Sequence, residues 1–343
     1  MKVLQLTAHF RPNVGGVETH LDDLVNALVK RSFLVTVLTY RPLTTKAKWK
    51  IYEGSSSVSI IRIPWIPNLF YLLVSLPLLE FIYLLPGLFM VTPLVLLLKN
   101  PNIIHAHGLV AGFVGVFWGK IFGKRVIIST HSIYSFPKKG MYTNFVIWIF
   151  KNANYSLSLS KKAAKEILSL GIDQNKVNNF TYWIDLEKFK RIDNAKIKLN
   201  WKNKFIVLFV GRLIPEKGLG ELLEALKSWD QDIKLVIIGS GPFESKIKEF
   251  SSKYKNVEFI GVVNQEKLPI YYSGSDILIV PSTSEEGFGR VILESLACGT
   301  PVIGSSRGAI PEVIDNSVGK LIDINPEKIK QAVEFFYQNR DQL

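Results

Sequence analysis

Short apolar runs of strand length alternate along this chain with stretches in which apolar residues recur three and four positions apart. Residues 3–8 form the first run, and after a glycine turn Val17, Leu21, Leu24, Val25 and Leu28 follow at helical spacing. Residues 33–39, 103–107 and 126–130 predict further strands, with helical patterns between them. Strands alternating with helices imply a parallel, doubly wound α/β sheet. Such sheets bind ligands beyond the carboxyl ends of their strands, where Gly15, Gly16, His107 and His131 fall.

Between residues 181 and 204 the chain turns polar, with clustered Lys, Asp and Asn, which reads as a connection between domains. A second series then begins, with strands expected at 205–210, 234–238, 257–260, 276–280 and 301–303 and a helix at 219–227. The expectation is therefore two doubly wound domains, 1–190 and 200–343, and 343 residues exceed the usual single core. Asn325 and Pro326 begin a last helix as cap and first residue, and Ile329, Ala332, Val333 and Phe336 form its apolar face.

One segment breaks the alternation. Residues 69–98 carry a single charge, Glu80, and are punctuated by Pro77, Pro86 and Pro93. Hydropathy alone would make this a membrane span. A single crossing would split strands that should share one sheet, and two crossings would need about 40 apolar residues. The expectation is a monotopic element, one or two proline-broken helices dipping into a membrane interface; a helix pair buried in the domain and a true span are the alternatives.

Composition narrows the partners. Apolar residues make up 48% and charged residues 21%, which excludes a disordered chain. A net charge of +13 calls for nucleic acid, anionic lipid or a diphosphate. The basic residues are dispersed and match no nucleic-acid motif, so lipid and diphosphate are the better partners. Cys298 is the only cysteine, so no disulfide forms within the chain. With an N-terminus lacking a signal-peptide pattern, this predicts a cytoplasmic location, peripheral on the inner face of the cell membrane.

The chemistry concentrates in SEEGFGRVILESLACGTPV, residues 284–302. Glycines on both sides of Phe288 let backbone amides approach a ligand, and a helix start offers partial positive charge to a diphosphate. Glu286 and Glu294 flank that turn. On one helix they would stand ~12 Å apart, beyond the ~5 to 9.5 Å of a glycosidase pair. They suit separate hydroxyl groups of an extended ligand, or else a solvated helix face.

This stretch closely resembles the C-terminal signature of the retaining glycosyltransferases of family 4, with their E-x7-E element. VGRLIPEKG at 210–218, GSGPFE at 239–244, YYSGSDILIVPS at 271–282 and IPEVI at 310–314 share that family's order and spacing, and HFRPNVGGVETHLDDLVNAL resembles its N-terminal glycine loop. The resemblance implies the GT-B architecture, two Rossmann-like domains across a cleft, and sugar transfer with retention from a nucleotide-diphosphate sugar (UDP- or GDP-linked) to a lipid or glycan acceptor. In that reading Arg212 and Lys217 neutralise the leaving diphosphate with the amides of Gly287, Phe288 and Gly289. Glu286 holds the transferred sugar, Glu294 the ribose, and the chain around Val263 the base. Gly15 and Gly16 meet phosphate or acceptor, His131 serves the reacting sugar, and His107 lies on the acceptor side with His105 beside it. No cofactor and no metal are implied. GSGPFE lacks the third glycine of a dinucleotide fingerprint, which disfavours an NAD enzyme. The rivals are a GT-B sugar-nucleotide epimerase and a non-catalytic membrane subunit. Two departures stand out. TYWID at 181–185 replaces the family's Pro-Asn-Gly-Val-Asp, and the helices that usually follow the last one are not in this chain.

Overall fold

The computed structural model describes residues 1–340 apart from 14, 68, 70–72, 74–76, 135 and 138. The chain divides into two compact units, Met1–Thr181 and Tyr182–Leu343. In the first, the order is β1 (Lys2–Thr7), α1 (Gly16–Lys30), β2 (Leu34–Tyr40), β3 (Tyr52–Gly54), β4 (Val58–Ile63), α2 (Pro77–Lys99), β5 (Ile103–His107), α3 (Leu109–Ile121), β6 (Arg125–Thr130), α4 (Met141–Asn152), β7 (Tyr155–Ser158), α5 (Lys161–Ser169) and β8 (Val177–Asn179). The strands lie side by side as β3-β4-β2-β1-β5-β6-β7-β8. Only the β3–β4 pair is antiparallel. Burial on both faces explains why β1, β2 and β6 are rich in Val, Leu and Ile without an apolar/polar alternation.

The second unit runs α6 (Ala195–Lys198), β9 (Phe205–Val210), α7 (Leu219–Leu226), β10 (Ile233–Ile238), α8 (Glu244–Lys253), β11 (Val257–Gly261), α9 (Leu268–Ser273), β12 (Ile277–Val280), α10 (Arg290–Ala297), β13 (Val302–Ser305), β14 (Gly319–Ile322) and α11 (Pro326–Gln338). Its sheet is wholly parallel in the order β11-β10-β9-β12-β13-β14. One apolar cluster on this sheet joins Val207 and Ile237 to α7 and α11; a second joins Leu208 and Val236 to α9 and α10. The Asn325 side chain accepts from Lys328 N–H, capping α11 as the sequence predicts.

The apolar segment departs from its expected form. Residues 70–72 and 74–76 lie outside the described residues, but 77–99 form one helix that runs through both Pro86 and Pro93. Each proline removes an N–H from the helical ladder, and side chains of neighbouring elements bond the backbone around both. The carbonyl that Pro93 leaves without its usual donor is that of Phe89, and Trp118 Nε1 of α3 donates to it at 2.9 Å. Beside Pro86, the Tyr40 hydroxyl enters the ladder, accepting from Leu88 N–H at 3.0 Å and donating to Leu84 O. Gly87 makes room for that ring, since a Cβ there would lie 2.6 Å from Tyr40. Leu84, Leu88, Val95 and Leu96 are buried against the sheet, while Ile82, Met90, Leu94, Leu97 and Leu98 are exposed. By length and composition α2 is long and apolar enough to cross a membrane.

Candidate functional site

Each sheet gathers polar residues at the carboxyl ends of its strands. In the second unit, Arg212 and Lys217 follow β9 and Glu286 follows β12. The Lys217 ammonium and the Ser282 hydroxyl both donate to Glu286 Oε1. Burial pushes the Glu286 carboxyl up, but Lys217, then Ser282, then the more distant Arg212 outweigh it and hold the group below the usual carboxylate value. Glu286 is therefore an anion among cations, with Arg212 exposed beside it.

Three glycines make this arrangement possible by letting backbones touch. Gly218 adopts φ +70°, and a Cβ there would lie 1.8 Å from Pro281 O. That contact brings the Lys217 turn against the segment after β12, where Thr283 N–H donates to Glu216 O at 3.0 Å. Gly308, at φ +65°, would place a Cβ 2.3 Å from Glu286 O, and Ala309 N–H donates to the same oxygen at 2.9 Å. GSG after β10 works similarly, since a Cβ on Gly239 would meet Gly211 O at 1.9 Å and Leu213 N–H donates to Ser240 O. Its glycines seat the loop that carries Arg212. Ser282 and Gly308 were not singled out from the sequence, although both lie in or beside the stretches that carry the family resemblance.

Glu294 has a different setting. It is 3% exposed on α10, its Oε1 accepting from Arg290 Nε at 3.0 Å and its Oε2 from the Tyr272 hydroxyl at 2.8 Å. Burial pushes its carboxyl up despite those partners. Each oxygen keeps a second lone pair. Gly287, Phe288 and Gly289 lead into α10, with Gly289 as its N-cap at φ +68°. Phe288 is buried, its ring edge-on to Tyr182 at 6.2 Å, so the first bulky residue of TYWID packs against the glycine turn. Val263 is half-buried beyond β11, against the apolar cluster beneath α9 and α10.

The first unit gathers histidines instead. His105 and His107 end β5, and His131 follows β6. His107 Nε2 lies 2.6 Å from the Gln5 amide oxygen, which can only accept, so that nitrogen donates. Its Nδ1 then accepts from His131 Nε2 at 3.0 Å. His105 Nε2 meets Ser129 Oγ at 2.7 Å. Burial, reinforced by neighbouring rings, holds His107 and His131 well below the ordinary histidine value; burial brings His105 to about 4. His20, buried on α1, completes the cluster with its ring 5.5 Å from that of His131. Gln5 and His20 gave no local sequence signal, because sheet register sets Gln5 beside His105 and the packing of α1 brings His20 to the cluster. Gly15 and Gly16 lie at the N-terminus of the fifteen-residue α1, with Gly15 as its N-cap.

One doubly wound sheet thus carries Lys217, Arg212 and Glu286 at its strand ends, and the other a histidine cluster. The profile described as Glycosyltransferase Family 4 matches residues 14–188, and that described as Glycosyl transferases group 1 matches residues 191–343, so the chain belongs to the group 1 glycosyltransferases. It is 24% identical over 339 residues to the phosphatidylinositol N-acetylglucosaminyltransferase GPI3 subunit of Saccharomyces cerevisiae, covering 92% of this chain and 70% of that one. Its fold matches sucrose-phosphate synthase from Thermosynechococcus elongatus at a TM-score of 0.82 and 22% identity, covering 98% of this chain and 90% of that one. Anabaena HepE, solved in complex with UDP-glucose, matches at 0.77 and 19%, covering 99% and 91%. These likenesses establish the GT-B fold.

Proposed function

We propose that the protein moves a sugar from a UDP- or GDP-linked donor to a lipid or membrane-linked glycan acceptor, with retention of anomeric configuration. The observation that carries this reading is the Lys217–Glu286 ion pair with Arg212 beside it at the strand ends of the second unit. Two fixed cations and the turn at Gly287–Gly289 suit a diphosphate whose charge grows as the glycosidic bond breaks. With that charge met by protein groups, the reaction needs no divalent cation. Glu286 holds hydroxyls of the transferred sugar, Glu294 uses its remaining lone pairs on the ribose, and the base lies near Val263. The neutral His131 offers its ring to a hydroxyl at the reacting centre, and His107 orients it on the acceptor side. The UDP-glucose complex of HepE supports a nucleotide-sugar donor, and the phosphatidylinositol substrate in the GPI3 name supports a lipid acceptor. The exposed apolar row on α2 supports attachment to a membrane surface, and the proposed side is the cytoplasmic one.

The test supplies purified protein with membrane extract and a panel of UDP- and GDP-sugars. Wild-type protein should consume one of them, and Arg212→Ala or Glu286→Gln should abolish consumption. Normal turnover in both variants would refute the site. For the membrane, Met90→Ser with Leu94→Ser and Leu98→Ser should reduce flotation with liposomes while leaving the buried face of α2 intact. Unchanged flotation would remove the attachment.

A further inference from the structure

Residues 41–50, RPLTTKAKWK, leave the carboxyl end of β2 and carry Arg41, Lys46, Lys48 and Lys50 without a carboxylate. The strap is built into the unit at three points. Arg41 N–H donates to Ile63 O at 3.0 Å. The Thr44 N–H and hydroxyl both donate to Asn13 Oδ1, at 3.2 and 2.8 Å, tying the strap to the loop that leads into Gly15. Arg62, 2% exposed, donates to Lys50 O at 3.3 Å, to Arg11 O at 2.9 Å and to Glu53 at 2.7 Å. The carboxylate next to the strap is thereby already paired.

What remains is unbalanced positive charge with donors to spare. The Arg41 guanidinium lies 5.1 Å over the Trp49 ring, and Lys48 and Lys50 flank that ring in sequence. Lys48, Trp49, Lys50, Ala47 and Glu53 line an open cavity of about 560 Å³. Arg41 Nε, Thr45 Oγ1 and Arg62 Nε are buried and have no hydrogen-bond partner among the described residues. Groups left in that state ask for an explanation, and an anion gathers N–H and O–H donors and exposed ammonium groups together. The strap also neighbours the apolar helix, because Trp65, whose ring is 5.2 Å from that of Tyr40, donates from Nε1 to Tyr83 O on α2 at 3.0 Å.

We propose that this strap is a phosphate-ester subsite, in which Arg41, Lys48 and Lys50 hold the phosphate of the acceptor. The inference rests on the glycosyltransferase reading above and adds to it that the acceptor is a phosphorylated molecule. A lipid headgroup and a soluble sugar or polyol phosphate share this chemistry, so the experiment separates them. Glycerol 3-phosphate is titrated into the protein, and flotation is measured with phosphatidylcholine vesicles with and without phosphatidic acid. Lys48→Gln with Lys50→Gln, both exposed and fold-neutral, should weaken whichever interaction occurs by roughly tenfold or more. Lys246→Gln with Lys248→Gln, the same charge change on the other unit, should leave it within twofold. Binding of glycerol 3-phosphate assigns a soluble ester; binding of phosphatidic acid vesicles alone assigns a headgroup. Equal binding by wild-type and the Lys48/Lys50 variant, or equal losses in both lysine pairs, would overturn the subsite. UDP and GDP binding measured in the same samples is the separate control: absence of both would count against the donor reading alone.

Discussion

The strand ends of the two sheets solve the problem of holding polar groups in opposite ways. In the second unit Glu286 is held as an anion beside Lys217 and Arg212, and glycines at 218, 239 and 308 bring the loops after β9, β10, β12 and β13 into backbone contact around them. In the first, four histidines cluster, His105 against Ser129 and His107 between Gln5 and His131, and burial keeps His105, His107 and His131 neutral. Fixed charge suits a diphosphate that gains negative charge during reaction; neutral donors and acceptors suit hydroxyl groups. The contrast teaches that one architecture supplies two electrostatic environments by what it places at its strand ends.

The sharpest way to break the charged edge is through its backbone. Gly218→Ala puts a side chain 1.8 Å from Pro281 O at a left-handed φ, so one loop must move. The expected outcome is donor consumption below detection and a destabilisation on the order of 3 kcal/mol, read from denaturant unfolding. Removing charge alone should do less to the fold. Lys217→Ala leaves a buried carboxylate without its ammonium, and donor consumption should fall by about 10² to 10³, the range for losing a group that meets developing charge. Melting should also shift downward, tempered by the ability of Glu286 to take up a proton.

The neutral edge is tested by acid. The folded values of His105, His107 and His131 lie below the unfolded value of 6.5, so the unfolded chain binds more protons under acid conditions. Their contribution is fully present above about pH 6.5 and declines as pH falls towards 4, by up to ~1.4 kcal/mol per pH unit for each histidine. His107→Asn should flatten the loss of stability between pH 6.5 and 5 in thermal scans; an unchanged slope would show that this ring does not carry it. The smallest effect is expected from chelation. Treatment with EDTA should alter donor consumption less than twofold if Arg212 and Lys217 supply the positive charge.

Much of the fold was legible because strands buried on both faces, such as β9 and β12, read as unbroken apolar runs. Short strands at the end of the sheet were not: β8, the edge strand, is Val-Asn-Asn and β7 beside it is Tyr-Ser-Leu-Ser, and their sheet positions come from pairing rather than pattern. Pro86 and Pro93 predicted breaks, yet α2 continues through both, with the Trp118 indole meeting the carbonyl that Pro93 leaves and the Tyr40 hydroxyl inserted between Leu88 N–H and Leu84 O beside Pro86; neither partner is near in sequence. Arg212, Lys217 and Glu286 were visible through spacing and resemblance, but the pairing of Lys217 with Glu286 required the β9 and β12 loops to be brought together, and Ser282, four residues before Glu286 in the same loop, carried no signal of its own as a second donor. The burial of Glu294 between Arg290 and Tyr272 likewise depends on α9 packing beside α10.

The central claim is that fixed positive charge at the second unit's strand ends holds the donor diphosphate. Calorimetric titration of UDP and GDP into wild-type, Lys217→Ala and His131→Ala proteins tests it most directly. The account predicts saturable binding of one nucleotide by the wild type, a loss of at least about tenfold in Lys217→Ala, and no change in His131→Ala. Equal affinity in wild-type and Lys217→Ala proteins, or a loss confined to His131→Ala, would contradict it.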